Sequence, residues 1–246
     1  MANNLHIYET PEDTARAVAE MILTKVKEKN KQSIPFNIAV SGGNTPKLLF
    51  NLLANEYSER MPWHIVRLFW VDERCVAPTH ADSNFGMAYQ SLLVNVPIPD
   101  ANIFRMQGEV KPETEVLRYQ ALLEKELPMQ NGFPQFDLVL LGLGDDGHTA
   151  SIFPNDMSLL QSDLAVGLGI HPVSGQRRIT LSGRTIRQAE MVVFFITGSS
   201  KADVIRQIIQ RESIFENFPA SHVYSKSGMA DFYLDYAAAK DLTVNN

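Results

Sequence analysis

Apolar residues in this chain fall into short unbroken runs that alternate with longer stretches at helical spacing. Leu5 to Tyr8 reads as a short first strand. Ala15, Val18, Ala19, Ile22 and Val26 then recur every three or four residues behind a Thr10 cap and Pro11, predicting a helix to about Lys29. Phe36 to Val40 is the next strand, and Leu48, Leu49, Leu52 and Leu53 supply the buried side of a helix that Thr45 is expected to cap and Pro46 to open. Ile65 to Val71 is a third strand, and a helix with Met87, Leu92 and Leu93 on its apolar side starts near Ser83. Two prolines between Val94 and Pro99 mark a connection, with Ile103 to Met106 as a further short strand. Val116, Tyr119, Leu122, Leu123 and Leu127 then give the inward face of a helix from Pro112 to Leu127.

The run from Phe136 to Leu141 is the stretch around which the chain is organised. Rich in Leu and Val, it reads as a strand buried on both faces, and it stops at Gly142 and Gly144. Ile152-Phe153-Pro154 is expected to end a short turn of helix, and residues 156 to 169 to pass over the site. Arg177 to Ser182 and Met191 to Thr197 are strands, and a helix capped by Ser200 buries Ile205, Ile208 and Ile209. A last core strand is placed at Ser221 to Ser225 around Val223, with Phe232 to Leu242 closing the domain. The alternation predicts an α/β fold, a mostly parallel central sheet covered by helices on both faces, as one domain over residues 1–246.

Composition narrows the class. With 246 residues, 45% of them hydrophobic, the chain can bury one large core unaided. A net charge of -6 without a dense Lys/Arg tract argues against nucleic acid or an anionic membrane as the main partner. Cys75 is the only cysteine, which excludes an intrachain disulfide and a multi-cysteine metal site. No apolar run reaches membrane-spanning length and Met1 to Asn4 lack the features of a signal peptide, so a cytoplasmic setting is expected.

Polar groups collect where strands end, which is where open α/β sheets bind ligands. Ser41-Gly42-Gly43-Asn44-Thr45 joins a strand to a helix, so it is either a plain connection or an anion loop with exposed backbone N–H groups. Asp72-Glu73-Arg74 follows another strand, as a solvated turn or as an arginine fork held by an acid, and Asn84 either makes a turn or holds its loop against Arg74. Asp145, Asp146 and His148 follow the organising strand. The aspartates alone could cap a helix, but a histidine beside them in a polar turn points to proton transfer. Arg177 and Arg178 are either ordinary edge charges or anion contacts, and Lys201 in a first helical turn, where the dipole disfavours a cation, adds to the second reading. Together these residues suggest an anion site beside an acid-base site, with no spacing diagnostic of a metal.

Five segments in this order resemble the 6-phosphogluconolactonase family, within the wider group that includes glucosamine-6-phosphate deaminases and isomerases. They are Ser41 to Pro46, Asp72-Glu73-Arg74 with Ser83-Asn84, Gly142 to Pro154, Arg178 to Leu181, and Gly198 to Ala202. Deaminases typically follow the histidine with Ala-Phe-Asn-Glu-Pro, and here Ala150 to Pro154 lack that glutamate. Asp145 stands where many lactonases carry proline. The resemblance implies a modified Rossmann-like sheet, no metal or other cofactor, and a small phosphorylated sugar lactone as partner. The chain is expected as a monomer or weak homodimer. The resemblance also implies His148 as the base that activates water, oriented by Asp146. Ser41, Gly42, Gly43, Asn44, Thr45, Arg74, Arg178 and Lys201 would hold phosphate, with Asp72 and Asn84 positioning Arg74 or meeting sugar hydroxyls. The family register favours Arg178 over Arg177.

Overall fold

The computed structural model describes residues 2–243. Met1 and residues 244 to 246, the extremes of the expected single domain, lie outside the described residues. The chain begins β1 (Ala2–Tyr8), α1 (Pro11–Lys31), β2 (Phe36–Val40), α2 (Asn44–Glu56), β3 (Val66–Trp70), β4 (Asp72–Arg74), α3 (Asn84–Ser91), β5 (Ile103–Phe104) and α4 (Pro112–Glu126). It continues β6 (Met129–Gln130), β7 (Phe133–Pro134), β8 (Leu138–Leu141), β9 (Val166–Ile170), β10 (Arg177–Leu181), α5 (Gly183–Arg187), β11 (Met191–Ile196), α6 (Ala202–Ile209), β12 (Met229–Asp235) and α7 (Tyr236–Ala239).

Seven strands form one sheet in the order β1-β12-β11-β8-β2-β3-β5, and every pairing in it is parallel. All four residues of β8 are buried at the centre of that sheet, which explains the unbroken apolar run. From β2 the chain builds outward through β3 to β5. From β8 it builds the other way through β11 to β12. The order therefore reverses between β2 and β8, and a crevice opens at that point beyond their carboxyl ends. Helices flank the sheet. Thr10 caps α1 through its side chain, and Ala15, Val18, Ala19, Ile22 and Val26 are buried as their spacing predicts.

A second sheet, β4-β10-β9, is antiparallel. Asp72-Glu73-Arg74 is a strand and not the solvated turn that is one of its two readings: after β3 the chain leaves the parallel sheet at Val71, whose N–H donates to Val40 and whose carbonyl accepts from Leu181. Those three residues then pair with β10. α4 packs against β9 and β10. Tyr119 from α4 is buried beneath them, accepting from the N–H of Trp70 at 3.1 Å and donating to the carbonyl of Phe104 at 3.1 Å.

Local expectations fail at three points in the second half of the chain. The last core strand is β12 rather than Ser221 to Ser225. Pro219–His222 forms a 3-10 turn, which Pro219 opens with its fixed φ, while Ala230, Phe232 and Leu234 alternate into the core. Ile152-Phe153-Pro154 is no helix; bridges Thr149 to Ile152 and Phe153 to Asp156 make two successive tight turns. Ser200 caps nothing. It lies inside the 3-10 turn Ser199–Lys201, which has Gly198 at its start.

Candidate active site

The crevice at the order reversal is a cavity of about 310 Å³. Ser41, Gly42, Gly43 and Asn44 reach it from the end of β2, and Asp72 and Arg74 from β4. Asn84 comes from the start of α3, His148 from the turn after β8, Arg178 from β10 and Lys201 from the turn before α6. Residues scattered over most of the chain thus converge: parallel strands deliver their carboxyl ends to one edge, and the antiparallel β4–β10 pair brings Asp72, Arg74 and Arg178 to the same place. A larger groove of about 620 Å³ runs between α2, α3 and residues 78–81, but its lining carries Lys47 and His80 and no carboxylate. The chemistry gathers in the smaller cavity.

The acid-base element is a closed turn. Gly144 N–H donates to the His148 carbonyl at 2.8 Å, and Gly147 N–H to the Gly144 carbonyl at 3.0 Å. The turn folds His148 back over Asp146, whose Oδ1 accepts from His148 Nδ1 at 2.6 Å and from the His148 N–H at 3.1 Å. With the proton on Nδ1 shared to a carboxylate, Nε2 keeps its lone pair. Only glycine allows this closure: a Cβ at Gly144 would sit 2.0 Å from His148 Nδ1 and 2.6 Å from Asp146 Oδ1. Partial burial pushes the Asp146 carboxyl up, but the bonds and charge from His148 outweigh it and hold the group at about 2. The His148 ring packs on Phe153 at 4.8 Å. No helix follows, so neither aspartate is a cap. Ser151 is buried, its Oγ donating to Asp72 Oδ2 at 2.7 Å.

Another wall of the cavity is cationic. Arg74 and Arg178 are register partners across β4 and β10. Like charges so placed repel, and neither guanidinium has an ion-pair partner among the described residues. Arg74 Nη1 donates to the Asp82 carbonyl at 2.6 Å, while the Nε atoms of Arg74 and Arg178 are buried without a partner. Burial and the neighbouring Arg74 lower the Arg178 pKa, and Asp72 opposes them. Arg177 pairs with Glu113 on the surface and does not line the cavity, whereas Arg178 does. Lys201 is engaged by Asp145.

Behind this wall lies a residue that sequence reasoning missed. Glu73 is buried, and its carboxylate accepts from the N–H groups of Arg74, Asn84 and Phe85 and from the Ser83 hydroxyl at 2.7 to 3.0 Å. It ties β4 to the start of α3, where the helix favours negative charge. Burial raises its pKa and the four donors restrain that rise. An acid closing a strand was the visible signal, but its partners lie about ten residues on. The tie places Asn84, whose Nδ2 donates to the Asp72 carbonyl at 2.8 Å, so Asn84 does hold its loop to the Arg74 strand. Its Oδ1 is buried without a hydrogen-bond partner and rests on Gly42, where a Cβ would come within 1.7 Å.

Thr45 does not line the cavity and does not cap α2. The helix begins two residues earlier than expected, at Asn44, with Gly43 at the cap in the left-handed region at φ 111°, and Thr45 Oγ1 lies 3.0 Å from Thr197 Oγ1. No side chain occupies the cap of α2, which leaves its first N–H groups free to meet an anion. Among the described residues no cluster of three or more His, Cys, Asp or Glu is arranged to hold a metal, and no helix is long and apolar enough to cross a membrane.

Residues 9–232 match the family model described as glucosamine-6-phosphate isomerases/6-phosphogluconolactonase. A 6-phosphogluconolactonase of Aggregatibacter actinomycetemcomitans is 37% identical over 228 residues, covering 92% of this chain and 96% of that protein. The crystal structure of the devB protein matches with a TM-score of 0.90 at 35% identity, over 98% of this chain and 100% of that one. The structure of 6-phosphogluconolactonase from Trypanosoma brucei matches at 0.85 and 29% identity, over 98% and 99%.

Proposed function

The chain belongs to the glucosamine-6-phosphate isomerase/6-phosphogluconolactonase family, and on that premise we propose that it hydrolyses 6-phospho-D-glucono-1,5-lactone to 6-phospho-D-gluconate in the oxidative pentose phosphate pathway. One observation carries the reading: the Asp146–His148 pair and the unpaired Arg74 and Arg178 belong to the same crevice.

The substrate phosphate lies against Arg74 and Arg178, with Lys201 and the backbone of Ser41 to Asn44 at the start of α2 as further donors. Holding this remote group orients the lactone carbonyl toward His148. Nε2 of His148 takes a proton from water as the water oxygen bonds to C1, and a tetrahedral intermediate forms. Asp146 stabilises the resulting imidazolium through Nδ1. The C1 bond to the ring oxygen then breaks, and that oxygen takes the proton back from Nε2. The carboxylic acid formed at C1 ionises in water. Asp72 is held by Ser151 and Asn84 and faces the cavity, where it suits a sugar hydroxyl.

The test is the initial rate on freshly made lactone, corrected for spontaneous hydrolysis, for the wild type and His148→Asn. Turnover lost in a folded variant supports the base assignment, since general base catalysis contributes about 10²- to 10⁴-fold. A folded wild type that does not accelerate hydrolysis sinks the reading.

A further inference from the structure

Asp145 and Lys201 form an ion pair that bridges two strand-end turns, one after β8 and one after β11. Lys201 lines the cavity and Asp145 does not. The lysine side chain is 21% exposed and the aspartate 71%, so the carboxylate approaches the ammonium from the solvent side. Lys201 and the Ser200 hydroxyl hold the Asp145 carboxyl below its usual range, so it is charged whenever the site works near neutral pH.

The three cations of the cavity are therefore unequal. Arg74 and Arg178 have no ion-pair partner among the described residues, with Asp72 and Asp82 acting on Arg178 only through their field, whereas Lys201 is directly paired with Asp145. An ammonium has three donors, so a ligand anion can share Lys201 with Asp145, but it then sits near a fixed negative group. Ring opening sharpens this conflict: the lactone ring is neutral and its hydrolysed form is a carboxylate, so product carries one more negative charge than substrate.

We propose that Asp145 weakens anion binding at Lys201 and thereby limits retention of the more highly charged product. The identity of that product rests on the lactonase reading above. The effect on anion affinity does not, because any phosphorylated ligand in this crevice meets the same pair. Asp145 is a positioning residue here, acting through Lys201.

The experiment compares full-length wild type, Asp145→Asn and Asp145→Ala by calorimetric titration with inorganic phosphate and with 6-phosphogluconate. Both variants are expected to bind phosphate about 2- to 5-fold more tightly, the size of effect that a solvent-facing ion pair supports. The gain for 6-phosphogluconate is expected to be larger, and both gains to shrink in high salt. In a Lys201→Met background Asp145→Asn is expected to change affinity little. Unchanged or weaker phosphate binding by both variants overturns the proposal and makes Asp145 an aid to binding. An undiminished gain without Lys201 overturns it too. Failure of the wild type to hydrolyse the lactone would sink the lactonase reading, yet the phosphate titration would still decide the role of Asp145.

Discussion

Arg74 and Arg178 face one another across the β4–β10 pairing, each with a buried Nε that no acceptor meets. Two cations in register cost stability in the free protein, and an anion between them removes the cost. Arg178→Met is therefore expected to raise KM for the phosphorylated lactone about 10- to 100-fold, corresponding to the loss of a hydrogen bond to a charged group. Its melting temperature should stay level or rise. Steady-state kinetics beside a thermal melt reads both, and a large loss of stability would mean that the arginine serves the fold instead.

Asp146 gives a pH signature. Its carboxyl is held at about 2, below its ordinary 3.8, so the stability it contributes is present above the unfolded value and lost as pH falls through the folded one. Chemical denaturation of wild type and Asp146→Asn at stepped pH should show a difference that persists at pH about 5 and shrinks between about 4 and 2. At neutral pH the variant should lose kcat more than it changes KM, since the carboxylate acts on the imidazolium. A difference independent of pH down to about 2 would contradict the assignment.

Gly144→Ala places a methyl group 2.0 Å from His148 Nδ1. The turn must open, separating His148 from Asp146. Turnover should fall at least about 10-fold while stability falls by about 1–3 kcal/mol, the usual cost of overpacking. Normal turnover in this variant would show that the closed turn is not needed.

Glu73→Ala leaves four donors without their acceptor. A loss of about 3 kcal/mol or more is expected in urea unfolding, from the desolvation of several unpaired groups. Glu73→Gln, which keeps one carbonyl, should lose less. Equal melting of Glu73→Ala and wild type would remove Glu73 from its structural role.

The strand-end chemistry was legible wherever it lay within one turn of chain. Gly142 to His148 and Ser41 to Asn44 declare themselves through glycines and polar groups at the close of apolar runs. The arginine pair was only half visible, because each arginine reads locally as surface charge and their opposition exists only through long-range pairing. Glu73 was hidden for the same reason: three of its four donors are supplied by a second segment folding back. β12 escaped because Val223 offered an apolar centre nearby, whereas the true strand alternates core residues with Asp231 and Tyr233, which pack against His6 and Asn4. Thr45 looked like a cap, but Gly43, free to take a positive φ, starts the helix first.

The pairing of β1 with β12 has a consequence on the ribosome. β1 lies at the sheet's edge and among the described residues pairs only with β12, so strand partners such as Asn4 and Asp231 are separated by 227 residues. At about 5–20 residues per second, translation leaves β1 waiting roughly 10 to 45 seconds for its partner. The rest of the parallel sheet can assemble from β5 to β11 in that interval, so β1, made before the other strands of its sheet, is among the last of them to find its place.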